Sequence, residues 1–281
     1  MTVPEAIPAK PRMSTRNRIL FFLTAWLIVL MPFLFWWNTW FGRQLSDKQL
    51  TEYLHDSNKP RHIQHALVQI GERIGRHDAG VTRWYPDLVR LADDPVEEVR
   101  NTDAWVMGQD TSGAGFHEAL RQMLSDSSST VRGNAALSLI RFGDASGRPQ
   151  IVSLLKPASV TATSPGKVLD VSTPGTNIHK GGLIAKLQDG NQRADIRSPI
   201  AGRLRTLSVQ PGQTIAAGAE VATIAPETEQ VWEALRALYV IGRAEDLPAI
   251  IPYERELPDI AAQVRQQATE TERAIRQRAE K

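Results

Sequence analysis

The sequence predicts a multidomain chain: an N-terminal transmembrane helix, an all-α solenoid of helical repeats, and an all-β module inserted into that solenoid. Three observations predict it. A long uncharged apolar run lies near the start. A short signature recurs 32 residues apart in a helically patterned region. A stretch of brief Val, Leu and Ile runs, punctuated by Gly and Pro, then occurs twice in succession.

The apolar run fills 19–42. Its core, ILFFLTAWLIVLMPFLFWW, is broken only by Thr24 and Pro32. As a helix, 19–24 residues reach about 28–36 Å, enough to cross a bilayer. Trp36, Trp37 and Trp40 collect at its far end, where indoles favour the membrane interface. Residues 1–18 form a basic tail with Lys10, Arg12, Arg16 and Arg18 against Glu5. That bias predicts a single-pass protein of a bacterial inner membrane, with a cytoplasmic N-terminus and a periplasmic main domain. A cleaved signal peptide is the alternative, but its cleavage region should be small and polar, not Trp-Trp-Asn-Thr-Trp-Phe-Gly. The tail also holds the chain's excess charge, formally +2 overall. The remainder is slightly acidic, which speaks against nucleic acid as a partner. With no cysteine, disulfides, thiol nucleophiles and thiolate metal sites are excluded.

From 45 to 157 the apolar spacing is helical, in pieces of 10–17 residues separated by Asp, Ser, Gly and Pro breaks. Ile63, Ala66, Leu67, Ile70 and Ile74 mark one clean stripe. The signature Asp94-Pro95-x-x-x-Val99-Arg100, followed by Ala104, returns as Asp126-x-x-x-x-Val131-Arg132, followed by Ala136. It resembles the second helix of HEAT-like repeats. On that resemblance Asp94 and Asp126 cap helix starts, and Arg100 and Arg132 reach an Asp of the next repeat. Each helix pair buries its apolar stripe only by stacking on its neighbour. Val231 to Gly242 reads as the same type of helix, so the repeat is expected to resume over 229–256. A separate C-terminal hairpin is the alternative. Residues 257–281 read as a final polar helix.

Over 158–228 the composition changes to short strands and tight turns. One copy contains Gly166, Pro174-Gly175 and Gly182. The other contains Gly202, Pro211-Gly212 and Gly218, offset by 36–37 residues. The expected core is Val168, Val171, Ile178, Leu183, Ile184 and Leu187 with Leu204, Leu207, Val209, Ile215, Val221 and Ile224. This pattern resembles the biotinyl/lipoyl domain and the related barrel-sandwich hybrid of HlyD-type membrane fusion proteins. In carriers of that family a modified lysine lies on the hairpin between the copies. Counting back from Ser198 gives Asn191 there, and Lys186 reads as a strand residue. The resemblance therefore implies a lipoyl-like barrel-sandwich fold without carrier chemistry. The connection is also too short for the coiled-coil hairpin of a fusion protein.

No catalytic motif stands out. His62 and His65 share a helix face but lack a third ligand, and Glu97 and Glu98 suit a helix N-terminus without any acid–base role. The expectation is therefore a non-enzymatic chain with no cofactor and no metal. It serves as an accessory or scaffold subunit of a transport or electron-transfer complex, with integral membrane proteins as partners. The bilayer itself, and lipid or pigment contacts at the anchor, complete the expected partners. Trp84, Trp105, Asn191 and Trp232 are the candidate interface residues. A divergent fusion-type adaptor, a carrier subunit and a ligand-sensing module are the alternatives.

Overall fold

The computed structural model of the protein describes residues 14–36, 44–256 and 260–280. Trp37 and Trp40 lie outside the described residues, as does the side chain of Trp36. The chain divides into two units, Met1–Leu50 and Thr51–Lys281.

In the first unit, helix α1 (Thr15–Trp36) contains Pro32 and is long and apolar enough to cross a bilayer. At 22 residues it rises about 33 Å. Its large apolar side chains are exposed, Val29 and Ile28 most of all. The Thr24 hydroxyl is satisfied inside the helix, donating to the Leu20 carbonyl at 2.9 Å. Helix α2 (Asp47–Leu54) opens on a reciprocal cap. The Ser46 hydroxyl accepts from the Gln49 N–H at 3.3 Å, and Gln49 Oε1 accepts from the Ser46 N–H at 3.1 Å.

The second unit is a helical repeat with a β module between two of its helices. The helices are α3 (Pro60–Gly75), α4 (Tyr85–Leu91), α5 (Glu97–Met107), α6 (Phe116–Met123), α7 (Ser129–Arg141) and α8 (Arg148–Leu154), then α9 (Thr228–Ile241), α10 (Leu247–Ile250) and α11 (Ala262–Ala279). Each buries one stripe: Ile63, Ala66, Leu67, Ile70 and Ile74 on α3, or Phe116, Ala119, Leu120 and Met123 on α6. Helix α5 packs between α3 and α7, while α4 and α6 lie against it. The close fit of α5 on α7 depends on small residues. A Cβ on Gly108 would meet Ser138 Cβ at 2.7 Å, nearer than any real contact.

Helix α8 packs on α9 although 73 residues, 155–227, separate the two in sequence. Ala136, Ile151 and Leu155 share one core with Val231, Leu235, Leu238, Val264 and Ile275. Apolar residues on both sides of the module thus bury one another.

The module has eight strands: β1 (Ala158–Thr161), β2 (Gly166–Val171), β3 (Asn177–Ile178), β4 (Leu183–Asp189), β5 (Gln192–Arg197), β6 (Gly202–Leu207), β7 (Thr214–Ile215) and β8 (Glu220–Pro226). They form two antiparallel sheets, ordered β1-β8-β6-β3 and β5-β4-β2-β7. The orders are equivalent when β1, β8, β6 and β3 are matched to β5, β4, β2 and β7. Each copy therefore lends its shortest strand to the other's sheet, so each sheet is completed only by both copies. The two sheets do not close into a barrel, so the expected barrel-sandwich reduces here to two small sheets around one core. That core holds Val168, Ile178, Ile184, Leu187, Leu204, Val209, Ile215, Val221 and Ile224, with Val171 and Leu207 partly buried beside it.

The turn glycines serve two purposes. Gly175, Gly212 and Gly218 have φ between 82° and 90°, a region that disfavours any Cβ. Gly166, Gly182 and Gly202 instead sit where space is short. A Cβ on Gly182 would meet Ile178 Cγ2 at 2.6 Å, and one on Gly202 would overlap the Ala225 carbonyl oxygen.

Candidate functional site

The side chains singled out by the signature form a ladder between α5 and α7. Arg100 donates from Nε and Nη2 to the two carboxylate oxygens of Asp126, at 2.7 and 2.9 Å. Its Nη1 also donates to the Asp94 carbonyl at 2.7 Å. The equivalent Arg132 Nη1 donates to the Asp126 carbonyl at 2.6 Å. Further rungs join Asn134 to Asn101, the Ser138 hydroxyl to the Ala104 carbonyl, and Arg141 to Gln109. The Arg100 hydrogen bonds hold the Asp126 carboxyl below its ordinary value, against the opposing effect of burial.

Asp94 and Asp126 do not cap helices, which corrects the expectation. Each lies upstream of the cap and accepts from the N–H two residues on, Val96 at 2.8 Å and Ser128 at 2.7 Å. The cap residues are Val96, which has no side-chain acceptor, and Ser128, whose hydroxyl accepts from Thr130 and Val131. The aspartates shape the turn, and this frees Asp126 for Arg100. Arg132 reaches back to its own repeat, not onward to a further aspartate.

The ladder floors a groove of about 480 Å3 across α5, α7 and α9. Trp105, Asn134, Arg141, Arg236 and Val240 line it. Trp105 is 44% exposed. Its ring rests against Gly71 of α3, where a Cβ would come within 3.0 Å of Cζ3. Val68 lies one turn earlier on the same face and is exposed, as are Tyr239 and Val240 on α9. Trp232 is half-buried, with the Arg236 guanidinium 4.6 Å above its ring. Trp84 is corrected as an interface residue. It is 2% exposed, and its indole N–H donates to the Thr51 hydroxyl at 2.9 Å. Asn191 sits, exposed, in the turn between β4 and β5, beside Gly190 at φ 56°. It is remote in sequence from the groove and shares no lining with it.

The module contacts the repeat through Glu97. Lys180 donates to its carboxylate, as does the Ser128 hydroxyl at 2.7 Å. Burial disfavours the Glu97 anion most, but the hydrogen bonds from Lys180 and Ser128 together with the charges of Lys180 and Arg100 hold its carboxyl below the usual range. His62 and His65 have partners already, Asp56 Oδ2 at 2.9 Å and Gln69 Nε2 at 2.8 Å.

Sequence reasoning missed Asp103. It is fully buried on α5, and neither carboxylate oxygen has a hydrogen-bond partner. Burial pushes its carboxyl well above 3.8, with Arg90 opposing and Asp94 reinforcing. The signal was present: Asp103 lies on the stripe of Val99, Ala104, Val106 and Met107.

No family model and no curated protein matches this sequence. Among solved structures, the complex of CpcE and CpcF of phycocyanin lyase from Nostoc sp. PCC7120 is similar over 85% of this chain and 68% of that chain, at 17% identity and TM-score 0.44. A single-chain, multi-domain long-chain acyl-CoA carboxylase is similar over 36% of this chain, at 20% identity and TM-score 0.25. This chain spans only 10% of the carboxylase's length. Likeness this distant assigns no activity. The expectation of a non-enzymatic chain is withdrawn, because the similar structure is a phycocyanin lyase complex, and no activity is assigned to this chain in its place. A helical-repeat architecture by itself does not separate enzymes from other proteins.

Proposed function

We propose that this chain is a membrane-anchored accessory subunit that docks partner proteins on the groove around Trp105. The observation that carries this is the 44% exposed indole of Trp105 lining a groove between helices, together with the exposed Val240. Exposed aromatic anchors flanked by Arg are the side chains that dominate protein recognition. Arg141, Glu233 and Arg236 line the same groove and supply polar contacts beside the indole.

In this proposal α1 spans a bacterial inner membrane, the N-terminus is cytoplasmic, and Thr51–Lys281 is periplasmic. Integral membrane proteins of a transport or electron-transfer complex are then the partners. Anchoring supports docking by confining the search to the membrane plane. The repeat is HEAT-like, and the two exchanged sheets are a lipoyl-type module whose lysine is replaced at the tip by Asn191. The adaptor reading draws support from the duplicated sheets, but the tight turn at Gly190 and Asn191 leaves no room for a docking hairpin.

The test is a gentle-detergent pull-down of the full-length chain from its native membrane, compared with Trp105→Ala. Stoichiometric recovery of integral membrane subunits by the native chain, lost in the variant, is the expected result. Equal recovery by both would move the contact away from the groove. Recovery of nothing by either would reject the accessory-subunit reading.

A further inference from the structure

A second cavity lies where the β module joins the helical repeat, separate from the groove. Its volume is about 490 Å3, inside the range of roughly 300–1,000 Å3 that small-molecule sites occupy. The chain passes it on leaving the helices at Pro157 and again on returning at Pro226. Leu155, Val231 and Val264, all buried, supply apolar wall, and Ala249 and Ile260 extend it. Three of these belong to the shared core, so the wall is held rigid from behind. The polar groups at the cavity are mostly satisfied. The Tyr253 hydroxyl donates to the Leu155 carbonyl at 2.6 Å, and Glu245 is neutralised by Arg148.

Two cations are the exception. Lys156 and Arg205 both line the cavity and are exposed, so they stand at its rim. Neither side chain has an ion-pair or hydrogen-bond partner among the described residues. They come from different elements, the end of the helical segment and strand β6, so the fold and not local sequence brings them to one opening. An apolar hollow with two unpaired positive charges at its mouth matches a ligand with an apolar body and one anionic end. The helices α9 and α11 add to this. Both begin at the cavity, and neither has a side-chain cap on its first turn, which leaves partial positive charge there.

We propose that this cavity binds a long-chain monocarboxylate, with the acyl chain on the Leu155–Val231–Val264 wall and the carboxylate between Lys156 and Arg205. Two cationic donors at one opening can both make charge-assisted hydrogen bonds to a single carboxylate. This site is independent of the docking groove.

The experiment uses the full-length chain in phosphatidylcholine nanodiscs and radiolabelled palmitate, with empty nanodiscs subtracted. Saturable binding of one palmitate per chain is expected, competed by other long-chain carboxylates but not by palmitate methyl ester. The pair Lys156→Glu with Arg205→Glu weakens it by about tenfold or more. Ala249→Trp, which fills the hollow, abolishes it, while Trp105→Ala leaves it unchanged. Circular dichroism melts establish that each variant is folded. No saturable binding above empty nanodiscs overturns the proposal. So does equal competition by the methyl ester, or native-like affinity in the charge-reversed variant. Competition by anionic lipid vesicles in place of free palmitate would reassign the carboxylate to a lipid headgroup and overturn it in the form stated.

Discussion

Arg148 and Asp246 lie 98 residues apart in sequence, yet Arg148 Nη1 donates to Asp246 Oδ1 at 2.6 Å. Asp246 is 4% exposed and also accepts from the Arg243 N–H at 2.8 Å. The same guanidinium contacts Glu245. The pair ties the start of α8 to the segment after α9 and so clamps the repeat across the inserted module. Asp246 is what raises the Arg148 pKa most, ahead of the opposing effect of burial. Arg148→Met strands a buried carboxylate. We expect a loss of about 3 kcal/mol, read as a lower urea midpoint for the whole unit.

The Arg100–Asp126 rung makes stability depend on pH in a definite direction. The folded pKa of Asp126 lies below its ordinary 3.8. Its contribution is therefore complete above that value and is lost as pH falls through the depressed folded value. Arg100→Met should cost about 3 kcal/mol at neutral pH. The gap between native chain and variant should narrow as denaturation is repeated at progressively lower pH in the acid range.

Asp103 works with the opposite sign. Its folded pKa is raised by burial, so its contribution is favourable only at low pH. It is lost as pH rises from 3.8 toward the raised value. Arg90 and Asp94 are the charges that modulate it. Asp103→Asn removes the ionisable group from an unpartnered site. A gain of about 1 kcal/mol should appear at neutral pH as a rise of roughly 2–4 °C in Tm. The gain should shrink in acid, and thermal melts at two pH values check both halves.

Trp84 and Trp105 separate packing from recognition. Trp84→Ala opens a hole behind a 2% exposed side chain and should cost about 3–5 kcal/mol. Trp105→Ala removes a ring already 44% exposed, so its melt should move far less. Its partner affinity should instead fall by at least about 2 kcal/mol, close to thirtyfold. Parallel melts and titrations with the recovered partner distinguish the two.

Gly202 tests the exchanged sheets. A Cβ there overlaps the Ala225 carbonyl oxygen on the paired strand β8. Gly202→Ala forces β6 away from β8 and should destabilise the module by about 1–3 kcal/mol. Hydrogen exchange should rise on β6, β8 and β3 before it rises on α3 or α5.

Much of this arrangement is legible in the sequence. Helical stripes such as Ile63, Leu67, Ile70 and Ile74 follow a local period of 3.6, and the inward pairs Gly166 and Val168 on β2 and Gly202 and Leu204 on β6 follow a period of 2. The backbone alone imposes those periods. The reach of Arg100 to Asp126 followed from a signature repeated at constant spacing, because stacked repeats place equivalent residues side by side.

Other features depend on distances in space that sequence spacing does not encode. Trp84 and Trp105 are the same residue type, each within a helical segment or beside one. Yet Trp84 is enclosed, while Trp105 lies at the surface with its ring against Gly71 of α3. The exchange of β3 and β7 between sheets and the meeting of Lys156 with Arg205 at one opening likewise required the folded chain. Local periodicity determined which residues turn inward along each element. Which elements then face one another was decided by packing between segments far apart in the chain, where shape and small residues such as Gly71 and Gly108 set the fit.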